Sequence, residues 1–203
     1  MSESNKRTIL IQLDTDSQPS VFDAVVAVDA GADVLLRHGG VTPEGVQALI
    51  HGAIFTRGVP ELNRTAVFIG GSNVHAAEAV LDAVRRSFIQ DLRVSVMLDP
   101  NGSNTTAAAA VLAAWKSMGG NLQGVSAAVV AATGPVGQRV ARLLVKLGAR
   151  VRVGSRQLER AQALAQSLGL VPTTSSFSTS SRDDLRNGLH DAELIVAAGT
   201  FGV

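Results

Sequence analysis

One short stretch of the chain has the residue types of a nucleotide-binding loop. It reads AATGPVG, Ala131 to Gly137, and it lies between an apolar run, GVSAAVV, and a helix-like segment, QRVARLLVKLGA. In the pattern G-x-G-x-x-G, the first glycine permits a tight turn, the second lets the backbone approach a pyrophosphate, and the third lets helix and strand pack closely. Gly134 and Gly137 fill the last two positions, and Ala132 can fill the first if its φ stays negative. The predicted cofactor-binding residues are Thr133, Gly134, Pro135, Val136 and Gly137. The alternative is a strand–turn–helix that holds no ligand.

The unit after this loop indicates which dinucleotide would bind. An NAD site places Asp or Glu there to bind the ribose 2′-hydroxyl, but this chain reads Gly154-Ser155-Arg156. A carboxylate would repel a 2′-phosphate, whereas Ser155 can donate a hydrogen bond and Arg156 a charge-assisted fork. The pattern therefore predicts NADP as the cofactor, with Ser155 and Arg156 in its site. The alternative is that Arg156 is an ordinary solvated arginine at a helix start.

Two polar stretches in the first half are candidates for a substrate surface. The first is DTDSQPSVFD, Asp14 to Asp23, at the carboxyl end of the first predicted strand, where α/β sheets place their ligand loops. The second is DPNGSNTTAAA, Asp99 to Ala109, which crowds five polar side chains at one helix start: Asn101, Ser103, Asn104, Thr105 and Thr106. The alternative for both stretches is turn and capping chemistry, for which Asp, Asn, Ser and Thr are the preferred residues.

The elements that must position these residues alternate between strand-like and helix-like patterns. Strand-like runs such as TILIQL, AVFIGG, SAAVVAA and AELIVAAG are separated by helical segments, which predicts βαβ units and parallel sheets in an α/β fold. We expect an N-terminal parallel α/β substrate domain, residues 1–120, followed by an incomplete Rossmann-type dinucleotide-binding domain, residues 121–203. The glycine-rich stretch 117–124 marks the boundary, and the helix 107–115 is expected to bridge the halves. The Ser/Thr-rich segment 172–184 is expected to be an exposed loop.

The composition excludes several other classes of protein. Apolar residues make up 46% and charged residues 17%, as in ordered globular proteins, and aromatic residues make up only 3%, so the core must be aliphatic. A net charge of +1 gives no electrostatic reason to expect nucleic acid or an anionic membrane as a partner. The chain has no cysteine, and its four histidines are scattered, so no metal site is predicted. No apolar stretch approaches the ~20 residues of a membrane span, and we expect a cytoplasmic protein.

Taken together, six motifs give the sequence a family resemblance over almost its whole length. They are LDTDSQPSVFDAVV, GGVTPEGV, FTRG, VFIGG, LDPNGSNTTAAAA and TGPVG. The sequence resembles the bacterial NADP-dependent methylenetetrahydromethanopterin dehydrogenases from about Thr8 to Val203. The resemblance implies a cytoplasmic homo-oligomer of one-carbon metabolism, in the pathway that oxidises formaldehyde. It also implies hydride transfer from methylene-tetrahydromethanopterin to NADP, giving the methenyl form, although some members accept the folate analogue or NAD.

The resemblance also implies roles for single residues. The family's PSVFD motif corresponds to Pro19 to Asp23, and its phenylalanine, here Phe22, would lie against the pterin and hold it beside the nicotinamide. A phenyl ring suits this task because it offers a flat apolar face at little entropic cost. We therefore expect Phe22 and Asp14 to be the catalytic residues. The expected substrate-binding residues are Thr15, Pro19, Ser20, Asp23, Asn101, Asn104 and Thr105.

Two features depart from the family pattern. Family members usually have glycine at the position of Ala132, and they continue well past Val203 with a segment that completes the nucleotide domain and carries an active-site lysine. We therefore expect the chain to be truncated at its C-terminus. Two alternatives to the leading interpretation stay open: a methylenetetrahydrofolate dehydrogenase, and a truncated module that binds pterin or NADP without catalysis.

Overall fold

The computed structural model describes residues 6–199, and it divides into two compact units between Gly102 and Ser103. Each unit is built on a parallel sheet with helices in the connections between strands. The predicted α/β class is therefore confirmed. Within residues 6–199, no helix combines the length and the apolar character that a bilayer crossing needs.

The first unit carries the stretch that the sequence singled out as a substrate surface. Its described residues form four strands, β1 Ile9–Asp14, β2 Val34–His38, β3 Thr65–Gly70 and β4 Ser95–Leu98. Its α-helices are α1 Val21–Asp29, α2 Val46–Phe55 and α3 Val74–Ser87, and two 3-10 segments cover Val59–Arg64 and Pro100–Gly102. All strand pairs are parallel, in the order β2-β1-β3-β4.

Aliphatic side chains form the core of the first unit. Strands β1 and β3 lie in the middle of the sheet, with a strand on each side, and their sequences are largely apolar. Helices α2 and α3 cover the sheet with residues at helical spacing. The fully buried members of this core are Leu13, Val46, Ile50, Ile54, Ile69, Ala77, Val80 and Val84. Helix α1 differs from α2 and α3, because none of its nine residues is buried.

The second unit carries the glycine loop. Its described strands are β5 Ser126–Val130, β6 Arg150–Ser155, β7 Ser176–Ser178 and β8 Leu194–Ala197. Its helices are α4 Ser103–Ser117, α5 Pro135–Lys146, α6 Leu158–Ser167, the single turn α7 Pro172–Ser175, and α8 Arg182–Leu189. The strands are again all parallel, in the order β7-β6-β5-β8.

Helix α4 belongs to the second unit. Its residues Ala107 and Val111 are buried in the same apolar cluster as Val140 and Leu144 of α5. The division between the units therefore precedes α4, earlier in the chain than the boundary expected near residue 120. The helix was expected to bridge two halves, but its alanine-rich face packs closely on α5 instead.

The Ser/Thr-rich segment is more ordered than its composition suggested. Instead of an exposed loop, residues 172–178 form α7 and the edge strand β7. The reason is Phe177, which is only 8% exposed. Its ring fills the space over two glycines, since a Cβ on Gly154 or Gly188 would lie within 2.4 Å of ring carbons. One aromatic side chain among hydroxyl residues therefore anchors the segment to the sheet.

Candidate functional site

The strand order of the second unit places its ligand-binding edge. Strand β5 is central, β6 and β7 follow on one side, and the chain then crosses to β8 on the other side. This is the order of a Rossmann half, in which ligands bind outside the carboxyl ends of the strands at the point where the order reverses. The loop that leaves β5 at this point is the glycine loop, residues 131–134.

Hydrogen bonds to and from its backbone hold the glycine loop in a fixed shape. The N–H of Ala132 donates to the carbonyl of Gly154 at 2.9 Å, and the Gln138 side chain donates to the carbonyl of Thr133 at 2.8 Å. Ala132 is fully buried and is not among the described residues with positive φ, so it meets the condition for replacing a glycine. The left-handed residue is its neighbour Ala131, with φ 56°.

The two glycines of the loop have different surroundings. A Cβ on Gly137 would lie 2.5 Å from the carbonyl oxygen of Ala131 and 2.7 Å from the Cα of Ala132, so glycine is required for α5 to approach β5. A Cβ on Gly134 would meet only the Ala131 oxygen at 3.5 Å, and its φ is −77°. The protein itself does not need glycine at 134. The missing side chain instead leaves the backbone open to a ligand, which fits the approach of a pyrophosphate.

The N-terminus of α5 adds a partial positive charge at the same place. Pro135 takes the first helical position, where its missing N–H costs nothing. The next amides, of Val136 and Gly137, lie in the first turn and have no acceptor within the helix. A helix start of this kind binds anionic oxygens. The loop and the helix start together fit the phosphates of a dinucleotide.

The residues predicted to distinguish NADP from NAD lie at the end of β6. Ser155 is only 5% exposed, and its Oγ lies 3.2 Å from the hydroxyl of Thr133 and accepts the N–H of Gln157 at 3.3 Å. Ser155 therefore joins the glycine loop to the next strand. Arg156 is exposed, so its guanidinium is accessible to an anion at this edge. The cofactor roles of both residues stay predictions.

In the first unit, the strand order reverses between β1 and β3. The loops at the carboxyl ends of these two strands are residues 15–20, which carry the predicted substrate residues, and Gly70-Gly71-Ser72. They are in contact, because the N–H and the hydroxyl of Ser72 donate to the Asp16 carboxylate at 2.9 and 2.8 Å. The sequence reasoning did not assign the second loop to a site. The sequence feature that could have indicated this loop is the Gly70-Gly71 pair at the end of a buried strand.

Asp14 organises the first of these loops. Its side chain is fully buried, and its two carboxylate oxygens accept the backbone N–H groups of Asp16 at 2.9 Å and Ser20 at 3.0 Å. Thr15 packs against the second loop, since a Cβ on Gly71 would lie 2.0 Å from its Oγ1. These contacts give Asp14 and Thr15 a task within the protein. The catalytic role of Asp14 and the binding role of Thr15 stay predictions.

Phe22 lies on the first turn of α1, just beyond this loop. The hydroxyl of Ser20 caps the helix by accepting the N–H of Asp23 at 3.2 Å. The Phe22 side chain is 77% exposed, so its ring is open to a flat ligand. The carbonyl of Pro19 accepts a hydrogen bond from Arg37 at 2.6 Å. Neither Arg37 nor its partner Gln12 was found by sequence reasoning.

The carboxyl group of Asp23 lies beside that of Asp14. Both Oδ2 atoms flank Gly70, at 3.3 and 3.5 Å from the position of a Cβ there. Burial raises the pKa of Asp23, the hydrogen bond from Ser20 lowers it, and the charges of Asp14 and Asp99 raise it further. The net effect is a raised pKa, because burial and the neighbouring carboxylates disfavour the charged form.

The second polar stretch is divided between the two units. In the first unit, Asn101 is exposed and has a left-handed backbone, with φ 52° and ψ 29°. In the second unit, Asn104 accepts a hydrogen bond from Nε of Arg139, and Thr105 is exposed on the first turn of α4. Asn104 thus links α4 to α5. The substrate-binding roles of these three residues stay predictions.

No group of three or more histidine, aspartate or glutamate side chains in residues 6–199 is arranged to hold a metal ion.

A Rossmann half with its glycine loop at the strand-order reversal defines a dinucleotide-binding protein of the α/β class. Comparison with known proteins narrows this class. A family profile described as "Methylene-tetrahydromethanopterin dehydrogenase, N-terminal" matches residues 21–101. The bifunctional protein MdtA of Methylorubrum extorquens strain AM1 is 44% identical over 202 residues, which cover 97% of this chain and 69% of that protein.

A second relative comes from the same organism. The NAD(P)-dependent methylenetetrahydromethanopterin dehydrogenase of M. extorquens is 30% identical over 210 residues, which cover 97% of this chain and 69% of that protein. The chain belongs to the methylenetetrahydromethanopterin dehydrogenase family. Among solved structures, shikimate 5-dehydrogenase of Thermus thermophilus is 21% identical and aligns with 97% of this chain and 70% of its own, with a TM-score of 0.48.

Proposed function

We propose that this protein is an NADP-dependent methylenetetrahydromethanopterin dehydrogenase, which oxidises the methylene carbon of its substrate to the methenyl level. The observation that carries the proposal is that the family relationship spans both units, with a relative 44% identical over 97% of the chain. A relationship confined to one unit would be equally compatible with a module that binds only a pterin or only a nucleotide. The proposed reaction needs a pterin site and a nucleotide site in the same protein.

In the second unit, the chain's own groups suit the binding of NADP. The amides of Val136 and Gly137 at the start of α5 bind the pyrophosphate, and Gly134 lets it approach the backbone. Arg156, which is exposed at the end of β6, would pair with the 2′-phosphate through its guanidinium group. NADP supplies a nicotinamide ring that accepts a hydride.

In the first unit, we propose that Phe22 binds the pterin. Its exposed ring offers a flat apolar face on which a pterin can stack. The carboxyl group of Asp23, which lies beside that of Asp14, contacts the polar edge of the ring system. Hydride transfer needs no protein nucleophile, so the residues contribute by orienting the substrate and excluding water.

The proposal is tested by supplying methylene-tetrahydromethanopterin and NADP and following the absorbance of NADPH. We expect turnover with NADP and little with NAD. A protein that binds both the pterin and NADPH, yet forms no NADPH, would contradict the assignment. Parallel rates with methylene-tetrahydrofolate distinguish the folate alternative, since a folate enzyme would turn over that substrate faster.

A matched variant tests the alternative of a non-catalytic module. Phe22→Ala removes the proposed pterin platform and leaves the second unit unchanged. We expect turnover to fall by about a hundredfold, which corresponds to ~2.7 kcal/mol of transition-state stabilisation, while the NADPH dissociation constant stays within a factor of two. Unchanged turnover would remove Phe22 from the site.

We also propose that the protein is a cytoplasmic homo-oligomer. The exposed apolar surface of α1 supports self-association, because Val21, Val25, Val26 and Val28 are each at least 50% exposed. Light scattering after gel filtration tests the oligomer, and a monomeric mass would contradict it. Cell fractionation tests the location.

A further inference from the structure

Two side chains from neighbouring strands hold the peptide carbonyls just before α1. Arg37 donates from Nη2 to the carbonyl of Pro19 at 2.6 Å and from Nε to the Gln12 side-chain oxygen at 3.0 Å. Gln12 in turn donates from Nε2 to the carbonyl of Ser20 at 3.3 Å. Gln12 and Arg37 are directly paired in the parallel register of β1 and β2. Two successive carbonyls are therefore fixed to the sheet; we call this set of three bonds the Gln12–Arg37 clamp.

Burial fixes the inner member of the clamp, Gln12, whereas Arg37 is exposed. Gln12 is only 1% exposed although it is polar, and both ends of its amide are used by the clamp. Buried polar side chains are costly unless they are hydrogen-bonded, so the amide is held in one orientation. Arg37 suits the outer position because its planar guanidinium donates in two fixed directions, which a lysine ammonium cannot match.

The clamp matters because α1 packs only lightly on its own unit. None of the nine residues of α1 is buried. The Ser20 carbonyl also accepts the N–H of Ala24 at 3.3 Å and so forms part of the first helical turn. Phe22 lies on that turn. The position of its ring is thus fixed by polar contacts to the residues that precede the helix.

We propose that Gln12 and Arg37 are positioning residues that place the Phe22 ring for the pterin. They act through the carbonyls of Pro19 and Ser20 and do not touch the substrate. This inference rests on the proposed function of Phe22 as the pterin platform. Loss of the clamp lets the first turn of α1 move, so the ring is misplaced for part of the time and the pterin binds more weakly.

The first test is Arg37→Ala, with Arg85→Ala as the matched control. Arg85 is an exposed arginine in the same unit, and its side chain forms an ion pair with Asp82 on its own helix. Calorimetric titration with methenyl-tetrahydromethanopterin should show about a tenfold rise in the dissociation constant for Arg37→Ala and none for the control. The NADPH dissociation constant should stay within a factor of two in both variants. Arg37→Lys should restore only part of the affinity, because the single Nζ of lysine cannot occupy the positions of both Nε and Nη2.

A double-mutant cycle shows whether Arg37 acts through Phe22. If it does, Arg37→Ala should have little further effect on pterin binding in the Phe22→Ala protein. Hydrogen exchange supplies a readout that does not depend on ligand. The amides of Ser20 and Asp23, which donate to Asp14 and Ser20, should exchange faster in Arg37→Ala than in the control.

The results separate the positioning role of Gln12 and Arg37 from the proposed role of Phe22 as the pterin platform. If Phe22→Ala weakens pterin binding but Arg37→Ala behaves like Arg85→Ala, the positioning role is overturned and the proposed function stands. Additive losses in the cycle overturn it as well, because they mean that Arg37 acts independently of the ring. If Phe22→Ala leaves pterin binding unchanged, the proposed platform itself fails.

Discussion

The two glycines of the nucleotide loop should respond in opposite ways to the same substitution. In Gly137→Ala, the new Cβ meets three backbone atoms of Ala131 and Ala132 at 2.5 to 2.9 Å. Backbone atoms cannot turn aside, so α5 must move away from β5 by roughly 1 Å to reach ordinary contact distances of ~3.5 Å. That movement disturbs Val140 and Leu144, which are fully buried.

The expected cost follows from this geometry. Overpacking a close-packed core costs about 1–3 kcal/mol, and we expect a value near the upper end because the obstacles are backbone atoms. For a unit of this size, ~3 kcal/mol lowers the melting temperature by roughly 10–20 °C. Gly134→Ala should behave differently. Its Cβ has 3.5 Å of clearance and its φ is −77°, so its stability loss should stay below ~1 kcal/mol, the usual range for an alanine at a helix N-cap.

The assay combines thermal unfolding by circular dichroism with fluorescence titration of NADPH. Gly134→Ala should unfold within about 5 °C of the wild type yet bind NADPH at least about tenfold more weakly, because its methyl group occupies the approach to the backbone. Gly137→Ala should be the less stable protein. Unchanged NADPH binding by Gly134→Ala would refute the loop as the phosphate site. A Gly137→Ala protein as stable as the wild type would refute the described contact of α5 with β5.

Three further predictions follow from single residues. Arg156→Ala should weaken NADPH binding by about tenfold or more and leave NADH binding within a factor of two. The control Arg160→Ala, on the helix that follows, should change the binding of neither nucleotide. Equal losses for both nucleotides in a titration of Arg156→Ala would contradict a 2′-phosphate contact. Ala131→Gly should raise the free energy of unfolding by up to ~1 kcal/mol, because the φ of Ala131 is 56°. Ala132→Gly should lower the free energy of unfolding by a similar amount. Denaturant unfolding measures both variants, and an Ala132→Gly protein more stable than Ala131→Gly would contradict the described turn. The pKa of Asp23 is raised above its ordinary value of 3.8 mainly by burial, so the stability it contributes is present at low pH and lost as the pH rises through its folded pKa. Asp23→Asn should therefore raise the melting temperature at neutral pH and match the wild type near about pH 3, and a difference that is independent of pH would show that the charge is not responsible.

The sequence predicted the parts of this protein that depend on short patterns. The alternation of apolar runs with helical segments indicated parallel α/β units, and a loop between a strand and a helix indicated the glycine turn. The division between the units lies before α4 and not near residue 120, because Ala107 and Val111 of α4 pack with Val140 and Leu144 of α5, a contact that no local pattern indicates. Phe177 was likewise hidden within a polar segment, since nothing local shows that Gly154 and Gly188 leave room for its ring.

The Gln12–Arg37 clamp shows why the rest of the substrate site could not be predicted from the sequence. Gln12 is a polar residue in an otherwise apolar strand, and Arg37 lies near the end of β2, just before a histidine and two glycines. Their pairing depends on the register of two strands that are 25 residues apart in sequence. A one-residue shift in that register would turn each side chain to the other face of the sheet. Only the folded sheet brings them together.

The two units prepare their candidate sites by different physical means. The nucleotide loop depends on atoms that are absent: a missing Cβ at Gly137 lets α5 approach β5, and a missing Cβ at Gly134 leaves the backbone open. The loop before α1 depends on atoms that are present, since Asp14, Gln12 and Arg37 each bond to its backbone. The first arrangement is sensitive to added side chains, at Gly137 because a Cβ would meet backbone atoms and at Gly134 because it would occupy the approach to the backbone. The second tolerates changes at the surface but fails when one hydrogen-bonding partner is lost, because the remaining buried group is then left unsatisfied. Enlarging Gly134 or Gly137 should therefore damage the nucleotide loop, and removing the side chain of Gln12 or Arg37 should damage the loop before α1.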